Sequence, residues 1–86
     1  MDYNDICERI RNYLLTSFPN PAMELTNDTP LLDGWFIDSM GVVQVVMFLE
    51  QEFGCEIRAA DVNAENLRDV DSLARFVLSK SGVSCN

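Results

Sequence analysis

The run from Ser39 to Phe53 constrains the fold most, because its apolar residues fall on more than one face of a regular element. They are Val42, Val43, Val45, Val46, Phe48, Leu49 and Phe53. Valine density alone would permit a strand, but the length of the run and the polar segment 50–52 favour a helix. Gly54 is suited to the position that follows a helix end. Such a helix is either central to a core or carries an exposed apolar strip for a partner.

A first helix is predicted over residues 3–17. Ile6, Ile10, Tyr13 and Leu14 recur at helical spacing and form one apolar stripe. Pro19 ends this helix, since the residue before a proline disfavours helical backbone angles.

Residues 18–37 hold all three prolines of the chain and are predicted to form a loop. A loop of this length usually has a function or packs as an irregular segment. Its second half carries apolar side chains that we expect to pack onto the core, namely Leu31, Leu32, Trp35, Phe36 and Ile37.

The remainder of the chain predicts a short helical turn or two within residues 59–67 and then a last helix. Asp69 or Asp71 is expected to cap that helix, whose apolar residues are Leu73, Phe76, Val77 and Leu78. The fold class is therefore all-α, a small four-helix bundle with three main helices, one short helix and a long loop between the first two. We expect one domain over residues 1–86, with a core at about 3–80 and a frayed tail at 81–86.

Composition narrows the classes of function. The net charge of −8 disfavours nucleic acid, and it suits either solubility alone or docking onto basic partners. No segment has transmembrane length and the first residues lack a basic signal region, so we expect no membrane association and a cytoplasmic location. The size of the chain allows one modest core, and we expect a monomer.

The histidine, cysteine and aspartate content of the chain does not favour a catalytic site or a metal site. The chain has no histidine, the commonest general base and metal ligand. Cys7, Cys55 and Cys85 are too irregularly spaced for a disulfide framework or a zinc site, and the first two are expected to be buried. Asp28, Asp33 and Asp38 lack the spacing of a calcium loop. We therefore expect no catalytic residue and no bound metal.

Ser39 is the candidate functional residue, because it lies where the long loop meets the second helix. A serine nucleophile needs a base held by a third group, and none is evident. A helix N-terminus does favour a phosphate ester. The alternative is that Asp38 or Ser39 merely caps the helix.

The pattern around Ser39 resembles the carrier protein family of fatty acid, polyketide and nonribosomal peptide synthesis. The resemblance rests on Asp28–Gly34, Ile37–Met40, Phe48–Gly54 and Leu67–Val77, and it spans nearly the whole chain. It implies a four-helix bundle whose serine, here Ser39, is esterified by 4′-phosphopantetheine from coenzyme A. Asp38 matches the aspartate that precedes the family's serine, and Met40 stands where leucine is usual.

The resemblance also implies partners. These are a phosphopantetheinyl transferase, an adenylating or acyltransferase enzyme that loads an acyl or aminoacyl group as a thioester, and downstream synthase, tailoring or thioesterase enzymes. Fatty-acid carriers have acidic docking residues just after the motif, whereas this chain has Gly41 and Gln44. We predict partner recognition by the residues around and after the serine, namely Asp38, Met40, Gly41, Val43, Gln44 and Met47. Of these, Met40, Val43 and Met47 could form a more apolar docking face, although Val43 and Met47 suit a core position equally well.

The phrase Thr29–Leu32, together with Ile37–Met40 and the lack of a Gly-Gly-His-Ser box, looks most like stand-alone carriers of polyketide or nonribosomal peptide biosynthesis. Secondary metabolism is therefore the expected setting. A primary fatty-acid carrier and a D-alanyl carrier are the alternatives within the family. A domain trimmed from a larger synthase would look similar. A helical adaptor that binds a partner through the second helix is the alternative from another class.

Overall fold

A computed structural model of the chain describes residues 2–18, 24–32 and 38–81. For Ser81 it describes the backbone only. It contains α1 (Tyr3–Ser17), α2 (Ser39–Phe53), a single 3₁₀ turn (Ala59–Asp61) and α3 (Val70–Ser81). No strand occurs in these ranges. The predicted all-α bundle is confirmed, and the predicted short helix is the 3₁₀ turn.

The helices begin and end where local side chains satisfy the backbone. The Asp5 N–H donates to Asp2 Oδ1 over 2.9 Å at the start of α1. Gly54 follows α2 with a left-handed φ of 66°, a backbone conformation that costs glycine little. At the start of α3, the Ser72 N–H donates to Asp69 Oδ1 over 2.8 Å, so the capping residue is Asp69 and not Asp71.

The core lies mainly between α1 and α3. Both helices direct one stripe inward, and α2 adds only two buried side chains, Val45 and Leu49. The most completely buried residues are Ile6, Cys7, Ile10 and Leu14 of α1, Leu49 of α2, and Val70, Leu73, Ala74 and Val77 of α3. The stripe predicted for the first helix is therefore a core stripe except at Tyr13, which is only half-buried.

Backbone hydrogen bonds attach the described part of the long loop to the start of α3. The Leu31 N–H donates to the Arg68 carbonyl and the Asp71 N–H donates to the Asn27 carbonyl, each over 2.9 Å. Leu31 is buried and Leu32 half-buried, as expected. The expected packing of Trp35, Phe36 and Ile37 lies outside the described residues, as do Asp33, Cys85 and most of the predicted tail.

Asp71 joins α1 to α3 through its side chain. The Tyr3 hydroxyl donates to Asp71 Oδ1, and Arg75 Nε donates to both carboxylate oxygens over 3.1 Å. The hydrogen bond from Tyr3, followed by that from Arg75, lowers the pKa of Asp71 below its ordinary value. The same contact with Asp71 raises the pKa of Tyr3. Both shifts favour the neutral phenol beside the ionised carboxylate.

We predict that Tyr3→Phe destabilises the fold by about 1 kcal/mol at neutral pH, because a hydrogen bond to an ionised group is lost. A lowered carboxyl pKa stabilises the fold above the unfolded-state pKa, and this contribution disappears as pH falls through the folded-state pKa. The difference between wild type and variant should therefore be present at neutral pH and shrink in strong acid. Urea unfolding at several pH values measures it.

Tyr13→Phe is the matched control, since it removes a phenolic hydroxyl that lies far from Asp71 in the fold. An NMR titration should show the pKa of Asp71 rising in Tyr3→Phe and unchanged in Tyr13→Phe. Equal titration of Asp71 in all three proteins would contradict the assigned role of Tyr3.

Candidate functional site

Ser39 is the first residue of α2, and its side chain is exposed. Asp38 precedes it in extended conformation, and Asp38 Oδ1 accepts the Gly41 N–H over 2.9 Å. Asp38 is thus the capping residue of α2. The Ser39 hydroxyl makes no hydrogen bond to any described residue, so capping does not occupy it.

The N-terminus of α2 is suited to a phosphate ester on Ser39. The first turn itself contains no acidic residue, so Asp38 at the capping position is the carboxylate nearest in sequence to the positive end of the helix dipole. The Gly41 N–H pairs with Asp38 Oδ1 at 2.9 Å and the Val42 N–H with the Asp38 carbonyl at 2.8 Å. Among the amides at this helix start, those of Ser39 and Met40 make no hydrogen bond to a described residue, and these two can face an anion. An exposed hydroxyl in this position fits the attachment of a phosphodiester.

Met40, Val43, Gln44 and Met47 form an exposed strip along α2, here called the α2 face. Met40 is 69%, Val43 53% and Met47 52% exposed, and Gln44 is also exposed. Their spacing places them on one side of the helix. The core interpretation of Val43 and Met47 therefore does not hold.

Gly41 does not belong to this strip, because it is buried. Partner recognition was predicted for Gly41, but no surface is open there. The opposite side of α2, with Val45 and Leu49, enters the core. The helix thus combines the two roles that its sequence allowed.

An aromatic pair continues the α2 face onto α1. The rings of Tyr13 and Phe48 stack nearly in parallel, with centroids 4.0 Å apart and an interplanar angle of 8°. Arg9 of α1 pairs with Glu52 of α2 beyond them. Helical periodicity places both rings among the apolar residues of their helices, so the sequence gives no signal that the two rings stack on each other.

Neither catalysis nor metal binding is suggested by the described residues. They contain no group of three or more potential metal ligands, and no described helix is long and apolar enough to cross a membrane. Cys7 and Cys55 are buried free thiols, as expected. Burial is the main cause that raises the pKa of each.

Comparison with known proteins identifies the class. Residues 8–77 match the family described as the phosphopantetheine attachment site. The chain is also similar to the acyl carrier protein of Solidesulfovibrio magneticus, with 26% identity over 77 residues that cover 90% of this chain and 96% of that protein. Because the family match covers most of the chain, the protein belongs to the phosphopantetheine-binding carrier family.

Family membership confirms three predictions. The chain is a carrier and not an enzyme, its cofactor is covalently attached 4′-phosphopantetheine, and it works with a transferase and with acyl-handling enzymes.

We predict that Asp38→Ala destabilises the protein by about 1 kcal/mol, since the Gly41 N–H loses its acceptor. Asp38→Asn should cost much less, because its amide oxygen can accept the same hydrogen bond. Thermal unfolding followed by circular dichroism measures both. Equal losses in the two variants would show that the charge of Asp38 matters more than its capping bond.

Proposed function

We propose that Ser39 carries the 4′-phosphopantetheine arm and that the protein shuttles acyl or aminoacyl groups between cytoplasmic enzymes of secondary metabolism. The observation that carries the proposal is the exposed Ser39 hydroxyl at the start of α2, beside a residue that already caps the helix. When attached, the group supplies a terminal thiol that holds the cargo as a thioester.

Other residues position Ser39, stabilise the charge of the phosphodiester and keep other thiols away from the cargo. Asp38 fixes the first turn of α2 and thereby the direction of the Ser39 side chain. The amides of that turn stabilise the phosphodiester charge. Cys7 and Cys55 do not compete for cargo, because each is buried and its raised pKa keeps it as a thiol at neutral pH.

The attachment is tested by mass spectrometry of the intact protein. Incubation with coenzyme A and a broad-specificity phosphopantetheinyl transferase should add one phosphopantetheinyl group to the wild type. Ser39→Ala should abolish the gain, whereas Ser79→Ala, a change at another exposed helical serine, should leave it intact. The proposal fails if Ser39→Ala is modified, or if the wild type is not modified under conditions that load a control carrier. A helical adaptor would need no modification at all.

The α2 face supports a carrier of secondary metabolism, of the type that serves polyketide or nonribosomal peptide synthesis. Its exposed positions near Ser39 are apolar or amide-bearing, and acidic residues return only at Glu50 and Glu52. Enzymes with basic docking patches gain affinity and association rate from acidic partners. They would gain little from this helix.

We predict that a fatty-acid malonyl transferase loads the phosphopantetheinylated protein poorly. Its kcat/KM should be at least about tenfold below that for a fatty-acid carrier, the equivalent of one missing charged contact. Loading assays with a malonyl transferase, a D-alanine-activating enzyme and adenylating enzymes of peptide synthesis compare the three settings. Efficient malonyl loading would favour the fatty-acid alternative, and efficient D-alanyl loading would favour the D-alanyl carrier.

A further inference from the structure

Resting on the proposed attachment at Ser39, we infer that Met40 and Met47 are the described residues that a hydroperoxide oxidises first, and that their sulfoxides reversibly slow the attachment of the arm. Each thioether sulfur takes up one oxygen atom from the hydroperoxide, whose O–O bond breaks, and water or an alcohol is released. The sulfur is oxidised and the hydroperoxide is reduced, so the reaction needs no further reagent.

The first observation is the exposure of the two methionines. Met40 is 69% exposed and Met47 is 52% exposed, so a small oxidant in solution can reach both side chains. No methionine occurs among the buried residues of the described part of the chain, and oxidation of these two would therefore leave the core intact. Hydrogen peroxide is uncharged, so the net charge of −8 does not repel it.

The second observation is that the thiols in the described ranges are protected. Cys7 is 1% exposed and Cys55 is 7% exposed, which keeps both away from an oxidant in solution. Burial also raises the pKa of each thiol, and the thiolate is the form that peroxides attack. The exposed sulfur-containing residues of the described part are therefore Met40 and Met47.

The third observation is the position of the two methionines relative to Ser39. Met40 follows Ser39 directly, and Met47 lies two helical turns further along the α2 face, about 10 Å from Met40. An enzyme that attaches the arm must cover the surface around the Ser39 hydroxyl. A sulfoxide replaces an apolar thioether with a polar group, which must lose water when it is covered. Oxidation would thus weaken apolar contacts beside the serine without altering the serine.

The first experiment measures where oxidation occurs. The chain is treated with hydrogen peroxide before the arm is attached, because the thiol of the arm would itself consume the oxidant. Peptide mass spectrometry at successive times should show one added oxygen atom on Met40 and on Met47 while Cys7 and Cys55 remain unmodified. The circular dichroism melting curve should change little, since both methionines lie outside the core.

The second experiment measures the rate of attachment after catalase has removed the peroxide. The probe is a purified phosphopantetheinyl transferase that modifies the untreated chain, with coenzyme A as its second substrate. We expect oxidation to lower kcat/KM at least about fivefold, as for the loss of a central apolar contact. Treatment with the two methionine sulfoxide reductases, one for each sulfoxide epimer, should restore it.

The matched control is the double substitution Met40→Leu and Met47→Leu. Leucine keeps a similar apolar volume and carries no sulfur, so the double variant should be modified at Ser39 before treatment. Peroxide should leave its kcat/KM unchanged, because the two oxidisable side chains of the α2 face have been removed.

Three results would overturn the inference. Oxidation of Cys7 or Cys55 before the two methionines would show that these thiols are not protected. An unchanged kcat/KM with both methionines oxidised would show that their sulfoxides do not affect attachment. An equal loss in the double leucine variant would assign the effect to another residue. Failure of the proposed function is distinct, since the untreated chain would then gain no mass or Ser39→Ala would still gain it.

Discussion

The arrangement of α1, α3 and the loop depends on the contacts that Asp71 makes. Its carboxylate binds Tyr3 of α1 and Arg75 of α3, and its N–H binds the Asn27 carbonyl of the loop. One residue thus joins two helices and the segment that leads towards α2. The two side-chain contacts, with Tyr3 and then Arg75, also lower the pKa of Asp71, because both favour the ionised carboxylate.

Because α1, α3 and the loop are held together by these contacts, one side of α2 can remain exposed at the surface. The apolar contacts of α1 and α3 form most of the core, so α2 needs to bury only one side to be held in place. Val45 and Leu49 provide that side. The other side can remain exposed and uncharged, an arrangement that costs stability little but offers a partner apolar area to bury.

The negative net charge of the chain does not describe the α2 face, because the charged residues lie elsewhere and the basic side chains are paired there. All six basic residues are engaged, five with carboxylates and Arg11 with Asn27. All the carboxylates that remain lie outside the span from Ser39 to Leu49. Net charge therefore describes solubility and long-range repulsion, while the local composition of α2 describes the partner that it can accept.

Elements whose signals are local were predicted closely from the sequence. The bounds of α1 and α2 and the role of Gly54 follow from periodicity and capping, which depend on residues a few positions apart. The sequence allowed either Asp38 or Ser39 to cap α2. The hydrogen bond from the Gly41 N–H to the Asp38 side chain shows that Asp38 is the cap. The choice of Asp69 over Asp71 was decided in the same way, because Asp71 is occupied by Tyr3 and Arg75.

By itself the sequence determined that the chain is a helical bundle with a serine at a helix start, and its motifs indicated the carrier family. Only the tertiary structure decided which side of α2 is buried, that Gly41 is covered, and that Tyr13 meets Phe48 at the surface. The physical reason is that periodicity reports how apolar residues are spaced along one helix. Whether a given apolar side chain is covered depends on the neighbouring helices, whose positions no single helix encodes.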